Sequence, residues 1–444
     1  MTKATPPNVI IIYADDLGWG DLGCFGADDL RTPHLDTLAA AGVRLPQWYS
    51  NSPVCSPSRA SLLTGKYPAH AGVEAILGGT RHTPGLPPQP TLASMLLDRG
   101  YRTGIFGKWH LGADPAYGPT GYGFEQHFGF LAGCVDYYSH IYYWGEHNPL
   151  HDLWEDDDEV WLNGQYLTTV IAERAVSFVE ENSEHPFFCY VAFNAPHYPM
   201  HAPEEYVQRF AHLPEDRRIM AAMIAAMDDG VGLLHATLDR LGLRDNTIVF
   251  MSSDNGPSVE DRNWLNGEEV SYTGGSAGGL RGHKGSLFEG GIRVPAMISW
   301  PAVLPAGVDL PTAGAMMDVV PTVLEAVDGA VAVDGEIDGQ TLLAALSAAP
   351  DAPAASAGDV EERWLFWEYD GQLAARCGTW KLVLGGEESM RSGIVVTEGL
   401  YDLASDPQEQ VNLAAKYPQR VTEMRRRVDD WTAGFSAWGS TRVS

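Results

Sequence analysis

Residues 8–16 read Asn-Val-Ile-Ile-Ile-Tyr-Ala-Asp-Asp. Residues 8–14 are a continuous β-branched run, the pattern of a strand buried on both faces. The run ends on two adjacent carboxylates, Asp15 and Asp16. At a buried strand end such a pair repels itself and needs a cation or other partners. A hard divalent ion such as Ca²⁺ or Mg²⁺ suits oxygen ligands; a helix cap or a turn pair is the plainer reading. The arrangement recurs along the chain. Residues 43–49 lead to Cys55, 101–106 to Lys108 and His110, 186–193 to His197, and 247–252 to Asp254 and Asn255. Helical patterns at 32–41, 91–99, 168–181 and 216–241 separate these runs, and 294–300 resumes the sheet. Strands alternating with helices predict an α/β fold with a mostly parallel, doubly wound sheet. In such sheets ligands bind beyond the carboxyl ends of the strands, so all these polar groups can meet in one cleft.

Residues 55–65 read Cys-Ser-Pro-Ser-Arg-Ala-Ser-Leu-Leu-Thr-Gly. Pro57 suits a first helical turn and Gly65 a helix end. Cys55 then lies at a helix N-terminus, where the dipole favours an anion, and Arg59 stands one turn on. A free cysteine is ordinarily a small buried hydrophobe, but this setting makes it a functional candidate.

The chain has 444 residues, 45% hydrophobic and 20% charged, as a soluble globular protein of more than one domain would. No run approaches the roughly 18–20 apolar residues of a membrane helix. The first strand begins so early that no secretion signal fits ahead of it. The chain as given therefore reads as cytoplasmic, or as periplasmic or secreted if a signal was removed. A formal charge of −29 disfavours nucleic acid and repels densely anionic polymers at range; its main role is solubility. Five scattered cysteines show no metal or redox spacing, and no disulfide framework is expected. Cys189 lies in an apolar run and reads as core. Residues 113–166 look irregular, with Tyr137, Tyr138, Tyr142, Tyr143, Trp144, Trp154 and Trp161 able to wall a pocket or simply to pack. The acidic run at 155–159 reads as a solvated edge. A patternless Ala-, Pro- and Asp-rich stretch at 345–360 reads as a linker, which divides a catalytic α/β domain at 1–350 from a small α+β subdomain at 360–444. In the latter, 364–369, 373–377 and 380–384 predict a small antiparallel sheet and 415–432 a closing helix.

Residues 55–65 resemble the signature of the sulfatases, whose cysteine is oxidised to formylglycine. Gly100-Tyr101 with Thr103, then Gly107-Lys108-Trp109-His110, resembles the second signature of that family. Leu400-Tyr401-Asp402-Leu403, Asp406-Pro407, Glu409 and Asn412-Leu413-Ala414 resemble its C-terminal subdomain. The resemblance runs from about residue 8 to residue 414. It implies an alkaline-phosphatase-like fold with a small C-terminal antiparallel sheet and helix. It implies one divalent cation, Ca²⁺ with Mg²⁺ possible, held by Asp15, Asp16, Asp254 and Asn255 and completed by the modified Cys55. Arg59, Lys108, His110, His197 and Lys284 match the remaining polar residues of the family; Lys284 sits in a Gly-rich stretch, 273–291, that could be aligned differently.

The implied chemistry is hydrolysis of a sulfate ester, a sugar or aryl monosulfate. A hydrated aldehyde has two geminal hydroxyls: one, activated by the metal and Asp254, attacks sulfur. Arg59, Lys108, Lys284 and the cation stabilise the equatorial oxygens. His197, with Lys284 nearby, protonates the leaving alcohol. His110 takes the proton of the second hydroxyl, which expels sulfate by C–O cleavage and restores the aldehyde. The implied partners are a small sulfated substrate and a formylglycine-generating enzyme. A phosphonate monoester or phosphodiester hydrolase using the same site is the nearest alternative. A metal-stabilised binding protein without activity is a second, which a missing nucleophile or ligand would favour.

Overall fold

β1 (Asn8–Ala14) forms where the β-branched run predicts it, with all seven residues buried. The structure is a computed structural model describing residues 6–439, apart from 143–148, 260–262, 266–267, 271, 331–336, 349–362, 391–392 and 394. Among the described residues, the helices of eight residues or more are α1 (Pro33–Ala40), α2 (Cys55–Thr64), α3 (Leu167–Glu181), α4 (Glu215–Leu241), α5 (Val319–Asp328) and α6 (Pro418–Gly439). The large sheet has ten strands, in the order β10 (Val308–Asp309), β2 (Val43–Arg44), β9 (Ala296–Ser299), β8 (Thr247–Ser253), β1, β7 (Phe187–Ala192), β3 (Arg102–Lys108), β4 (Gln126–Phe130), β5 (Trp154–Glu155) and β6 (Asp158–Glu159). β8, β1, β7, β3 and β4 are mutually parallel; β9 and β5 pair antiparallel on either flank.

The two faces of β1 serve two cores. Ile10, Ile12 and Ala14 pack among residues of α3 and α4. Val9, Ile11 and Tyr13 face Ala60, Leu62 and Leu63 of α2. A two-residue alternation with both phases apolar is what a strand between two helical layers requires. α4 is long and apolar enough to cross a membrane, but it is mostly buried as a core helix. Cys189 is core, as expected, and all five cysteines are free thiols.

Register fixes where the polar strand ends fall. Ala14 is level with Ser253, Tyr13 with Ala192, and Ala192 with Gly107. The residues that follow each strand therefore emerge on one edge, side by side.

Residues 43–49 depart from expectation. They give β2 and a separate pair, Trp48–Tyr49, bonded to Gly314–Ala315 outside the large sheet. Pro46 between them offers no N–H to a ladder, so one continuous strand cannot form. The chain thus reaches Cys55 beside the central strands, not from one of them. The expected linker begins in a short helix, Leu343–Ser347, and most of it lies outside the described residues. Asp156, Asp157 and Asp158 are exposed, as the acidic run predicts.

A second sheet follows the linker: β11 (Trp364–Tyr369), β12 (Gln372–Cys377), β13 (Trp380–Glu387) and β14 (Val395–Asp402), all antiparallel. The fourth strand is an addition to the three that alternation predicts. One face buries Leu365, Trp367, Ala374 and Val383 against Tyr49, Leu287 and Phe288 of the main body. The other buries Ala375, Leu382 and Leu400 against Val421, Met424 and Val428 of α6. A charge cluster locks the first contact. Lys381 Nζ lies 2.9 Å from Glu289 and 3.0 Å from Glu409, all of them buried. Tyr49 donates to Glu289 at 2.6 Å, and Glu409 accepts from the Glu289 amide at 2.6 Å.

Lys381→Met leaves Glu289 and Glu409 without their shared cation. The expected cost is about 3–5 kcal/mol, the usual result of breaking a buried pair from one side. Urea unfolding should show a lower midpoint; an unchanged midpoint would mean that the cluster does not hold the two sheets together.

Candidate active site

α2 begins at Cys55 after an extended Val54, and all ten of its residues are buried. Ser58 Oγ donates toward the Ser52 and Val54 carbonyls, each at 2.9 Å, and lies 2.6 Å from Ser50 Oγ, tying the first turn to the preceding loop. Gly65 closes the helix at φ 72°. Cys55 is 2% exposed, and its Sγ lies within 4.8 Å of carboxylate oxygens of Asp15 and Asp254. Burial pushes its thiol pKa up, against Lys108 and Lys284, which draw it down.

The three carboxylates are each met by a cation. Lys108 Nζ is 2.6 Å from Asp15 Oδ2, and Lys284 Nζ is 2.9 Å from Asp16 Oδ2. Arg59 donates twice to Asp254 Oδ2, at 2.8 Å from Nη2 and 3.2 Å from Nε, and its Nη1 donates to the Lys108 carbonyl at 3.1 Å. Its guanidinium also lies 5.3 Å from the centre of the Tyr13 ring. Burial raises the Asp16 pKa, but Lys284, His197 and Lys108 overcome it and bring the carboxyl to about 2. Burial and the Asp15 charge instead push Asp254 up to about 7, against Arg59 and Lys108.

Asn255 donates through Nδ2 to Asp16 Oδ1 at 2.7 Å, and the Asp16 amide donates to Asp254 Oδ1 at 3.1 Å. Asp16 has φ 64° and His110 φ 52°. Left-handed backbone at non-glycine residues costs about 1 kcal/mol or more and clusters at functional sites. Both lie in the turn that leaves a central strand.

The two histidines are fixed by backbone carbonyls, which can only accept. His110 donates from Nε2 to the Leu77 carbonyl at 3.0 Å, so Nδ1 keeps its lone pair, buried and without a hydrogen-bond partner among the described residues. His197 donates from Nδ1 to the Tyr198 carbonyl at 2.6 Å, which leaves Nε2 3.7 Å from Asp16 Oδ2. Burial and nearby cations hold both rings neutral: His197 falls to about 3 and His110 well below its ordinary value.

The donor set fits a hard cation. Asp15 Oδ1 and Asn255 Oδ1 are buried and accept no hydrogen bond among the described residues. Oxygens of Asp15 and Asp16 lie within 4.8 Å of each other, as do those of Asp15 and Asp254. Oxygen ligands crowded to this degree, one with its pKa forced up by its neighbours, are what an added positive charge relieves.

All ten residues singled out from the sequence thus meet: Asp15, Asp16, Cys55, Arg59, Lys108, His110, His197, Asp254, Asn255 and Lys284. Others escaped it. Tyr137 is fully buried and donates to the carbonyls of Asn194 and His197, both at 2.8 Å, so it props the His197 loop and does not wall a pocket. Ser50 donates to the Asp254 carbonyl at 2.6 Å. Nothing in the sequence around a lone Tyr or Ser marks such roles. Trp154 is core, Trp161 stacks on His151 at the surface, and Tyr143 and Trp144 lie outside the described residues. An open pocket of about 670 Å³, bounded by Trp19, Phe25, Asp216, Arg217 and Ser276, begins three residues past Asp16 and is lined by none of the ten.

The chain is similar to known proteins in sequence and in fold. The Sulfatase family model matches residues 7–330. Mouse arylsulfatase J is 31% identical, over 96% of this chain and 75% of its own length. Pig N-acetylgalactosamine-6-sulfatase is 33% identical, over 85% of this chain and 71% of its own. The crystal structure of Ps i-CgsB in complex with k-i-k-neocarrahexaose superposes with a TM-score of 0.83 at 29% identity, over 96% of this chain and 93% of that one.

Arg59→Met strands Asp254 and removes the donor to the Lys108 carbonyl. It should destabilise the fold by about 3–5 kcal/mol. Arg59→Lys, which keeps charge but not the fork, should recover part of this loss. Thermal melting of the two variants checks both; equal melting of Arg59→Met and the parent protein would deny the pairing any structural weight.

Proposed function

The chain belongs to the sulfatase family, a family of sulfuric ester hydrolases, and on that premise we propose that Cys55, oxidised to formylglycine by a formylglycine-generating enzyme, is the covalent nucleophile of this enzyme. The observation that carries the reading is the position of Cys55: first residue of a buried helix, within 4.8 Å of Asp15 and Asp254 oxygens, and close enough to Lys108 and Lys284 to feel their charges. Asp15, Asp16, Asp254 and Asn255, with the modified Cys55, would hold one Ca²⁺, or Mg²⁺ in its place. When bound, that ion supplies Lewis-acid polarisation of a sulfate oxygen and activation of the nucleophile.

The protein side chains divide the remaining work. Asp15, Asp16 and Asp254 offset the charges of Arg59, Lys108 and Lys284, so a divalent ion leaves the cluster with a surplus of positive charge for an anionic ester. Arg59, Lys108 and Lys284 are held by carboxylates and by backbone before substrate arrives, so little reorganisation is needed. His110 Nδ1, with its unused lone pair, accepts a proton from the nucleophilic residue as sulfate departs. His197 Nε2 and Lys284 Nζ flank Asp16 Oδ2, and in this reading they serve the leaving alcohol. With its proton on Nδ1, His197 must first take a second proton at Nε2 before it can give one away.

The substrate in this reading is a small, sparsely sulfated one, a sugar or aryl monosulfate. The net charge of −29 supports this, because it repels a polyanion well before contact.

Purified enzyme should hydrolyse an aryl monosulfate faster than the matching aryl phosphodiester, and Cys55→Ala should abolish this while remaining folded by circular dichroism. Faster turnover of the phosphodiester would transfer the assignment to that chemistry. Retained activity in Cys55→Ala would remove the nucleophile.

Elemental analysis should find one calcium or magnesium per chain and no stoichiometric zinc, since the site offers hard oxygens. Asp15→Ala should lose metal and activity together. Active enzyme without a divalent ion contradicts the metal assignment.

A further inference from the structure

Lys284 lies on a loop that belongs to the main body by sequence but is held from outside it. On one side, the Lys284 amide donates to the Pro257 carbonyl and the Gly285 amide to the Pro53 carbonyl, each at 2.9 Å. Those two prolines stand next to the metal-ligand and nucleophile segments. On the other side the loop meets residues of the C-terminal segment, several of them just past the end of β13. The Met390 amide donates to the Lys284 carbonyl at 3.1 Å, and the His283 amide to the Glu388 carbonyl at 2.9 Å. Arg281 pairs with Glu388 at 2.6 Å. Gly285 sits at φ 85°, where an added Cβ would fall 2.0 Å from Met390 Cγ, so the loop meets the segment just past β13 backbone to side chain with no room between them.

One side chain stitches this contact. Gln372, first residue of β12, is 3% exposed. Its Nε2 donates to the Gly285 carbonyl at 2.7 Å, while its Oε1 accepts from the amides of Leu287 at 3.2 Å and Glu387 at 3.0 Å. A neutral amide offers donors on one side and an acceptor on the other, where an ionised carboxylate of the same size only accepts. With both ends used on buried backbone, rotation of the amide would break three hydrogen bonds at once.

We propose that Gln372 is a positioning residue for Lys284, and that the C-terminal sheet thereby completes the catalytic site. This rests on the role given to Lys284 above. The Lys284 ammonium is 2.9 Å from Asp16 in the active cluster, one residue from the carbonyl that Gln372 holds. A loop free to shift would carry the ammonium with it, and misplacement by about 1 Å can cost a hundredfold in rate.

A double-mutant cycle on aryl sulfate hydrolysis tests this, using Gln372→Leu, Lys284→Ala and the pair. Gln372→Leu should lower kcat/KM by about ten- to a hundredfold, mostly in kcat. In the Lys284→Ala background the same change should cost less than about twofold, because the residue being positioned is gone. Losses that simply multiply would overturn the proposal, as would a change confined to KM. Gln372→Glu covers the case in which Gln372→Leu fails to fold: it keeps the volume and the acceptor, loses the donor, and should give the same non-additive loss.

Amide hydrogen exchange over 283–288 provides a readout independent of chemistry. Gln372→Glu or Gln372→Leu should speed exchange there; unchanged protection would overturn the proposal. Inactivity of the unmutated enzyme on every sulfate ester would sink the functional reading instead, and the exchange result would still decide whether Gln372 holds the loop.

Discussion

Three carboxylates that are almost fully shielded from water set the terms for this protein. Asp15, Asp16 and Asp254 are each 1% exposed or less. Left bare, such charges would neutralise or unfold their surroundings. The structure compensates them with Lys108, Lys284 and Arg59, which are also buried, and finishes the cluster with the Asn255 amide. What serves the fold is also what the chemistry needs. In the cluster, the oxygens left without a hydrogen bond among the described residues are Asp15 Oδ1 and the Asn255 amide oxygen.

The compensation comes from far along the chain, so it depends on register. β8, β1 and β7 lie side by side with their ends level, which places Asp254, Asp15 and the His197 loop on one edge. β3 adds Lys108 from the next strand over. α2 then presents Cys55 and Arg59 from the side of the sheet. A slip of one residue in any of these pairings would turn the strand over and separate a carboxylate from its cation. The apolar alternation that fills two cores therefore also fixes the charge pairing.

The C-terminal sheet takes part in this and does more than cover an apolar face. Its inner surface carries Trp367, whose Nε1 donates to the Ser50 carbonyl at 2.7 Å; Ser50 in turn donates to the Asp254 carbonyl. Lys381 binds Glu289, in the short helix that follows the Lys284 loop.

The sequence alone carried the strand pattern, the position of the polar residue after each strand and the signature around Cys55. These are local properties: a buried strand needs an unbroken apolar run, and a helix start needs its own few residues. It therefore pointed to the residues at the strand ends and the helix start and to the α/β order, while Lys284 came only from the family resemblance. It misjudged 43–49, where Pro46 divides the run, and it missed β14, whose exposed first residues show no apolar alternation. It was silent on which cation meets which carboxylate, on the tautomers of His110 and His197, on the carbonyls that Tyr137 binds, and on Ser50 and Gln372. Those depend on contacts between residues up to 268 positions apart, as in the Lys284–Asp16 pair, and on carbonyls that any residue type could offer. Only the folded backbone decides where such carbonyls point, because every residue carries the same one.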